Sequence, residues 1–79
     1  MKTTVITTTI DARGMPCPGP LMGLIGAIRQ GRVGDVIDVL SSDEGSKTDI
    51  PAWIAKAQHE LLDVVPEDGF TRFIVRKAR

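Results

Sequence analysis

The chain has few of the residues from which active centres are usually built. It holds one cysteine and one histidine among 79 residues. One thiol cannot close an internal bridge, which excludes the disulfide framework of small secreted domains. Thioredoxin-type exchange needs a resolving cysteine, and none exists. One cysteine and one histidine are a poor start for a metal centre, so neither metal nor cofactor is expected. Neither sign of charge is in excess, with ten Lys and Arg against ten Asp and Glu, whereas nucleic-acid-binding domains are usually basic. Aromatic residues make up 4% of the chain, with no pattern suited to stacking RNA bases, so direct nucleic-acid binding is not expected. No stretch approaches the roughly 20 apolar residues of a membrane span. Met1 to Ile10 is threonine-rich and lacks the apolar run of a signal peptide. The expected location is the cytoplasm, where a lone thiol stays reduced.

What is present suits one small domain spanning residues 1–79, without repeats, low-complexity tracts or a linker. At this length folding buries only roughly 60% of the unfolded surface, so the core is expected to be thin. Thr3 to Ile10 is β-branched and reads as a strand. The loop Asp11 to Pro16 follows, with Gly14 free to take a positive φ. Leu21, Leu24, Ile25 and Ile28 then recur at helical spacing over Leu21 to Gln30, with Gly31 as the stop. Gly23 and Gly26 inside that helix each cost about 1 kcal/mol relative to alanine, which hints at a close approach. Val36 to Leu40 and Phe70 to Lys77 alternate as strands; Asp38 opposes Ile37 and Val39, and Arg72 and Arg76 oppose Phe73 and Val75. Such alternation predicts a sheet with one buried and one wet face, helices covering one side only.

Between those strands, Thr48 or Asp49 can cap a second helix with Pro51 in its first turn. Its inner stripe would be Ile50, Ile54, Ala57 and Leu61, with His59 on a solvated flank. A short strand over Asp63 to Pro66 and the turn Glu67-Asp68-Gly69 lead into the last strand as a hairpin. Met22 and Trp53 are expected to pack or edge the core. The order is βαβαββ, and the expected fold is a two-layer α/β sandwich of the α+β class: a mixed four-stranded sheet with two helices on one face.

Cys17 lies within Met15-Pro16-Cys17-Pro18-Gly19-Pro20, at the start of the first helix. Proline is tolerated in a first turn because its missing N–H has no intrahelical partner there, so Pro18 and Pro20 start this helix rather than break it. Free amides and the positive end of the macrodipole at a helix start favour an anion, and a thiol placed there ionises more readily. Free cysteine is also a common core filler. Here, however, its neighbours are prolines and glycines rather than apolar residues at helical spacing. Acyl transfer would need a base, and His59 is the one candidate. A redox-sensing thiol forming sulfenic acid or an intermolecular disulfide is a further reading. The chemistry left for a lone activated thiol is to accept a group, hold it and pass it on, as a persulfide does.

Ile10-Asp11-Ala12-Arg13-Gly14-Met15-Pro16-Cys17-Pro18-Gly19-Pro20 resembles the signature of the TusA/SirA-like sulfur carriers, in which a Leu/Ile-Asp-x-x-Gly loop leads into Cys-Pro-x-Pro. Asp49-Ile50-Pro51 is similar to the opening of that family's second helix, and the basic final strand is similar too. The resemblance covers essentially the whole chain. It implies a βαβαββ fold and a sulfurtransferase or sulfur-carrier role, with a persulfide carried on Cys17. Sulfur would come from a cysteine desulfurase or rhodanese-like donor and go to a DsrE-like or other relay acceptor. The destinations it implies are tRNA thiolation, molybdenum-cofactor synthesis and dissimilatory sulfur oxidation. Gly19, where tRNA-thiolation members often carry a larger residue, and Pro16 before the cysteine depart from part of the family. Around Cys17, Asp11 can hold loop amides, and Arg13 can meet a persulfide or an acidic partner; either can equally be a plain loop residue. Arg72, Arg76 and Lys77 can dock an acidic partner or be a solvated strand face. In that second function the chain is a non-catalytic interaction module and Cys17 is incidental.

Overall fold

Six elements follow one another in the computed structural model, which describes residues 5–16 and 18–79. They are β1 (Thr8–Asp11), α1 (Gly19–Gln30), β2 (Val36–Ser41), α2 (Ser46–Lys56), β3 (Glu60–Pro66) and β4 (Thr71–Arg76). Thr3 and Thr4 of the expected first strand, and Cys17, lie outside the described residues. The βαβαββ order is the expected one. The strands form one sheet in the order β1-β2-β4-β3, with β1 parallel to β2 and β4 antiparallel to both its neighbours. A parallel pair needs a crossover, which α1 supplies, while an antiparallel pair can close through a tight turn. The β3–β4 turn is Glu67-Asp68-Gly69, with Gly69 at φ +84° and the Glu67 N–H donating to Phe70 O at 2.8 Å.

Side chains alternate across the strands. Ile37 and Val39 of β2 and Phe73 and Val75 of β4 point to one face, where they form a buried cluster with Leu24 and Ile28 of α1 and Ile50 and Ile54 of α2. Both helices therefore lie on the same side, and the protein is the two-layer α+β sandwich that the alternation predicts. Pro18 is the N-cap of α1, and Pro20, its second residue, is buried. The glycine pair divides in two. A Cβ on Gly23 would sit 2.9 Å from Ile10 Cγ2, so this glycine lets β1 approach the helix, whereas a Cβ on Gly26 would meet open space. Met22 does not edge the core as expected. It is 60% exposed, because Leu21 and Leu24 take the inward positions and Met22 borders an open groove between β1 and α1.

The second helix is shifted from its expected place at both ends. It starts at Ser46, after Gly45, so neither Thr48 nor Asp49 is the cap and Pro51 is its sixth residue rather than part of its first turn. The cause is Ser46 itself, fully buried with its Oγ 2.8 Å from Ser41 Oγ at the end of β2. That bond ties the turn to the sheet, and the first turn is closed by short-range bonds from the Ser46, Lys47 and Thr48 N–H groups to Asp43, Glu44 and Gly45. Pro51 removes one later bond, to the Lys47 carbonyl.

At the other end α2 stops at Lys56, short of His59 and Leu61. Gln58 turns to φ +64°, and the chain closes with Gln58 N–H on Ala55 O (3.2 Å) and His59 N–H on Ile54 O (3.0 Å), the paired bonds of a Schellman end. Leu61 consequently lies in β3 opposite Val75, and His59 lies in the connector. Trp53 packs against the core as expected. A non-glycine residue at the left-handed position costs about 1 kcal/mol. Gln58→Gly is expected to raise stability by about 0.5–1 kcal/mol, measured as a higher urea midpoint with an unchanged slope.

Candidate functional site

The segment on either side of position 17 lies at the carboxyl ends of the parallel pair, β1 and β2. Ala12 N–H continues the β1 pairing by donating to Leu40 O at 2.9 Å, and Ala12 is buried. Met15 N–H closes a turn onto Ala12 O at 3.1 Å, with Gly14 between them at φ +83°. Gly14 N–H then donates to Ser42 Oγ at 2.8 Å, tying the loop to the β2–α2 connection. Pro16 O accepts Gly19 N–H at 2.9 Å, and the helix ladder begins with Met22 N–H on Pro18 O. Gly14, Met15, Pro16, Ser42 and Asp43 line a shallow depression of about 250 Å³.

Pro18 as N-cap places position 17 in the sequence next to the cap, two positions before the first residue of a 12-residue helix. No acidic side chain lies in the first turn of α1 to oppose an anion. Two of the four residues from Pro18 to Leu21 are prolines without N–H, and Gly19's is taken by Pro16. An anion at this helix start therefore depends more on the macrodipole than on a ring of amide donors.

Asp11, Arg13, Gly14, Pro18 and Pro20 are brought together at this end. Asp11 accepts Arg13 N–H (3.2 Å) and Nε (2.9 Å) on Oδ1 and Nη2 (2.8 Å) on Oδ2, a forked pair across the loop. The guanidinium of Arg13 also sits 5.0 Å from the centre of the Phe70 ring. Arg13's side-chain and backbone bonds hold the Asp11 carboxyl down, from 3.8 to about 2. A lowered carboxylate pKa supports the fold above the ordinary value, and that support is lost as pH falls from 3.8 towards 2. In Arg13→Gln the Asp11 carboxyl should titrate close to its ordinary value, as followed by carboxyl carbon chemical shift. An unchanged midpoint would show that the fork does not govern it.

The other singled-out cations are placed differently. Arg72 donates from Nη1 to Asp38 Oδ2 and from Nε to Glu67 Oε2 at 3.2 Å. Arg76 pairs with Glu60 at 2.5 Å. Lys77 Nζ donates to Gly31 O at 2.9 Å, at the far end of α1 from the loop. The sheet face carrying Arg72 is not uniformly wet as expected. Asp38 is fully buried there, and its Oδ1 has no hydrogen-bond partner among the described residues. Arg72, directly opposite Leu40 and diagonal to Asp38, reaches over the carboxylate from β4. His59 is not beside the loop either: its Nδ1 accepts Ala78 N–H at 3.1 Å and its ring lies 5.7 Å from Trp53. Burial, with Lys77 and Arg79 nearby, lowers its pKa.

Ser42 is the site residue that the sequence reading passed over. Its one signal was its place in the polar loop after β2, and its bond to Gly14 spans 28 residues of chain. Among the described residues no cluster of three metal-ligating side chains exists, and no helix is long and apolar enough to cross a membrane.

The profile of the family Sulfurtransferase TusA matches residues 8–77, which is all of the sheet and both helices. The chain belongs to the TusA family. A putative sulfur carrier protein of Archaeoglobus fulgidus is 51% identical over 70 residues, covering 89% of this chain and 96% of that protein. The sulfur carrier protein TusA of Pseudomonas entomophila is 36% identical over 69 residues, covering 87% and 86%. The fold is shared with the crystal structure of a SirA-like protein of Desulfitobacterium hafniense, with a TM-score of 0.81 over 92% of this chain and all of that one, at 23% identity. TusA-family membership thus extends through the Asp11–Pro20 loop and the whole sandwich behind it.

Proposed function

We propose that the protein is a sulfur carrier whose Cys17 takes up sulfane sulfur as a persulfide and hands it to a partner protein. The observation that carries this reading is the family match over residues 8–77, which contains the only cysteine of the chain. The described geometry supports it through the N-cap at Pro18, the absence of acidic residues in the first turn and the anchored Gly14 turn.

In the step we propose, the Cys17 thiolate attacks the terminal sulfur of a donor persulfide. A new S–S bond forms on Cys17, the donor's S–S bond breaks, and the donor leaves as a thiolate, so no outside oxidant is needed. Delivery is the same exchange in reverse onto an acceptor thiol. The helix start favours the thiolate before attack and the persulfide anion after it. A cysteine desulfurase or rhodanese-like protein as donor and a DsrE-like or other relay protein as acceptor would fit this chemistry, at work in the cytoplasm. The destination can be tRNA thiolation, molybdenum-cofactor synthesis or sulfur oxidation. Asp11, Arg13, Gly14, Pro18 and Pro20 act in this reading by holding the loop.

The test is intact-protein mass spectrometry after incubation with a sulfane-sulfur donor. The expected product is one added sulfur atom that dithiothreitol removes. No addition from any of several donors would transfer the proposal to an interaction module.

A further inference from the structure

Zero net charge conceals an uneven distribution. Around the Gly14–Pro16 loop lie Asp43, Glu44, Glu67 and Asp68, in the β2–α2 and β3–β4 connections. Glu44 pairs with Lys47 and Glu67 with Arg72, and Asp43 and Asp68, in no ion pair among the described residues, leave the rim acidic. Among the described residues, the cations of that end, Arg13, Lys47 and Arg72, are held in ion pairs. At the other end, where α1, α2 and β4 all finish, lie Arg29, Arg32, Lys56, Lys77 and Arg79. None of these five takes part in an ion pair among the described residues, and all but Lys77 are exposed.

Hydrogen bonds show that they share one surface. Lys77 Nζ reaches Gly31 O between Arg29 and Arg32, and the Lys77 backbone brackets Gly34 and Asp35. Its neighbour Ala78 binds His59, and Arg79 binds Gln58, two residues past Lys56. The carboxylates nearby are committed: Asp35 accepts Arg32 N–H, and Glu60 pairs with Arg76. Helix dipoles account for part of this placement, since Arg29 and Lys56 lie in last turns where cations are favoured. They do not account for Arg32 or Arg79, which lie beyond the helices. His59 registers the result: its pKa is lowered in part by the charges of Lys77 and Arg79.

We propose that this basic end is a docking surface for an acidic segment of a partner protein, which holds the chain by the pole opposite its thiol loop. The two poles are separated by the length of α1, 12 residues or about 18 Å. That is roughly twice the screening length at physiological salt, so each end acts on a partner nearly independently. An anionic partner is drawn to the basic end and repelled from the acidic rim, which orients the encounter. A protein is favoured over a nucleic acid because the cations are few, with no exposed aromatic residue among them to stack a base. The docking is independent of sulfur loading and goes beyond that reading.

The experiment uses the full chain with an oligoglutamate peptide as probe and an oligothymidylate of equal charge as comparison, both at low and at physiological salt. The peptide is expected to shift the amide signals of Arg29, Arg32, Lys56, Lys77 and Arg79 and to leave Gly14 and Met15 unmoved. It should also raise the titration midpoint of His59, the only histidine, by screening Lys77 and Arg79. Arg32→Glu/Arg79→Glu should weaken binding about tenfold, and Arg29→Gln/Arg32→Gln, which avoids reversing charge, should weaken it less. Cys17→Ser should bind as wild type, so a failure of docking and a failure of sulfur loading are told apart. Peptide shifts centred on the loop, no binding at low salt, or tighter binding of the oligothymidylate would each overturn the proposal.

Discussion

Arg72→Met is expected to destabilise the fold by about 3 kcal/mol, seen as a fall of about 15 °C in melting temperature. The reason is what the substitution leaves behind. Asp38 has a side chain 1% exposed, with Arg72 on Oδ2 and no hydrogen-bond partner on Oδ1 among the described residues. Removing the guanidinium strands a carboxylate in the sheet, and an unpaired buried charge is far more costly than a broken surface pair. Arg72 is itself 32% exposed, which puts the expected cost at the low end of the range for buried pairs. The reverse deletion should behave differently. In Asp38→Val, Arg72 keeps Glu67 and its contact with water, and valine suits a buried strand position, so stability should fall by less than about 1 kcal/mol. The double variant should lie near Asp38→Val, not near the sum of the two. Equal losses from the two single variants would show that the pair acts as an ordinary surface ion pair and that Asp38 is not stranded.

Asp38 also marks a limit of reading alternation from sequence. The period of two placed it correctly on the face away from the helices, and Ile37, Val39, Phe73 and Val75 correctly on the other. Alternation assigns a face, however, not its exposure. Exposure on the outer face is decided by which long side chain the neighbouring strand lays over it, and the β2–β4 register is a long-range fact.

The second helix fails at its ends for a similar reason. Proline and capping preferences are local signals, and they located the start of α1 within two residues because its start is set locally, by Pro18 and Pro20. The start of α2 is set by the Ser41–Ser46 bond to the sheet, and its end by a left-handed glutamine that no residue preference would choose. Leu61 belongs to the core on either assignment, since a residue seven after Ile54 can face inward from a helix or, as here, from the next strand. The loop around position 17 was legible because its residues lie together in the chain. Ser42, which anchors it from 28 residues away, was not.

Cys17→Ser should abolish sulfur uptake completely and leave the fold's stability unchanged. Serine is close in size, and its hydroxyl can accept a hydrogen bond at the helix start, but it forms no S–S bond with a sulfane sulfur. The carried atom therefore has nowhere to reside. Loading is read as added mass, delivery as transfer to an acceptor thiol in a reconstituted relay, and folding as the urea midpoint of the same sample. The three readouts separate the readings that the chain's single thiol allows. Lost loading with an unchanged midpoint is the carrier result. A midpoint lowered by the equivalent of more than about 1 kcal/mol of stability would mean that the thiol fills the core, where a hydroxyl is penalised. Full delivery by the serine variant would leave the interaction module as the function. A wild-type thiol that forms oxidant-dependent dimers but takes up no sulfur would instead make it a redox sensor. Proline replacement tests the role of the loop in the same assay. Pro18→Ala restores an N–H at the N-cap without adding charge, so uptake should persist in that variant while the pH dependence of thiol alkylation shifts. Such a shift without loss of loading would show that the prolines tune the thiol rather than create it.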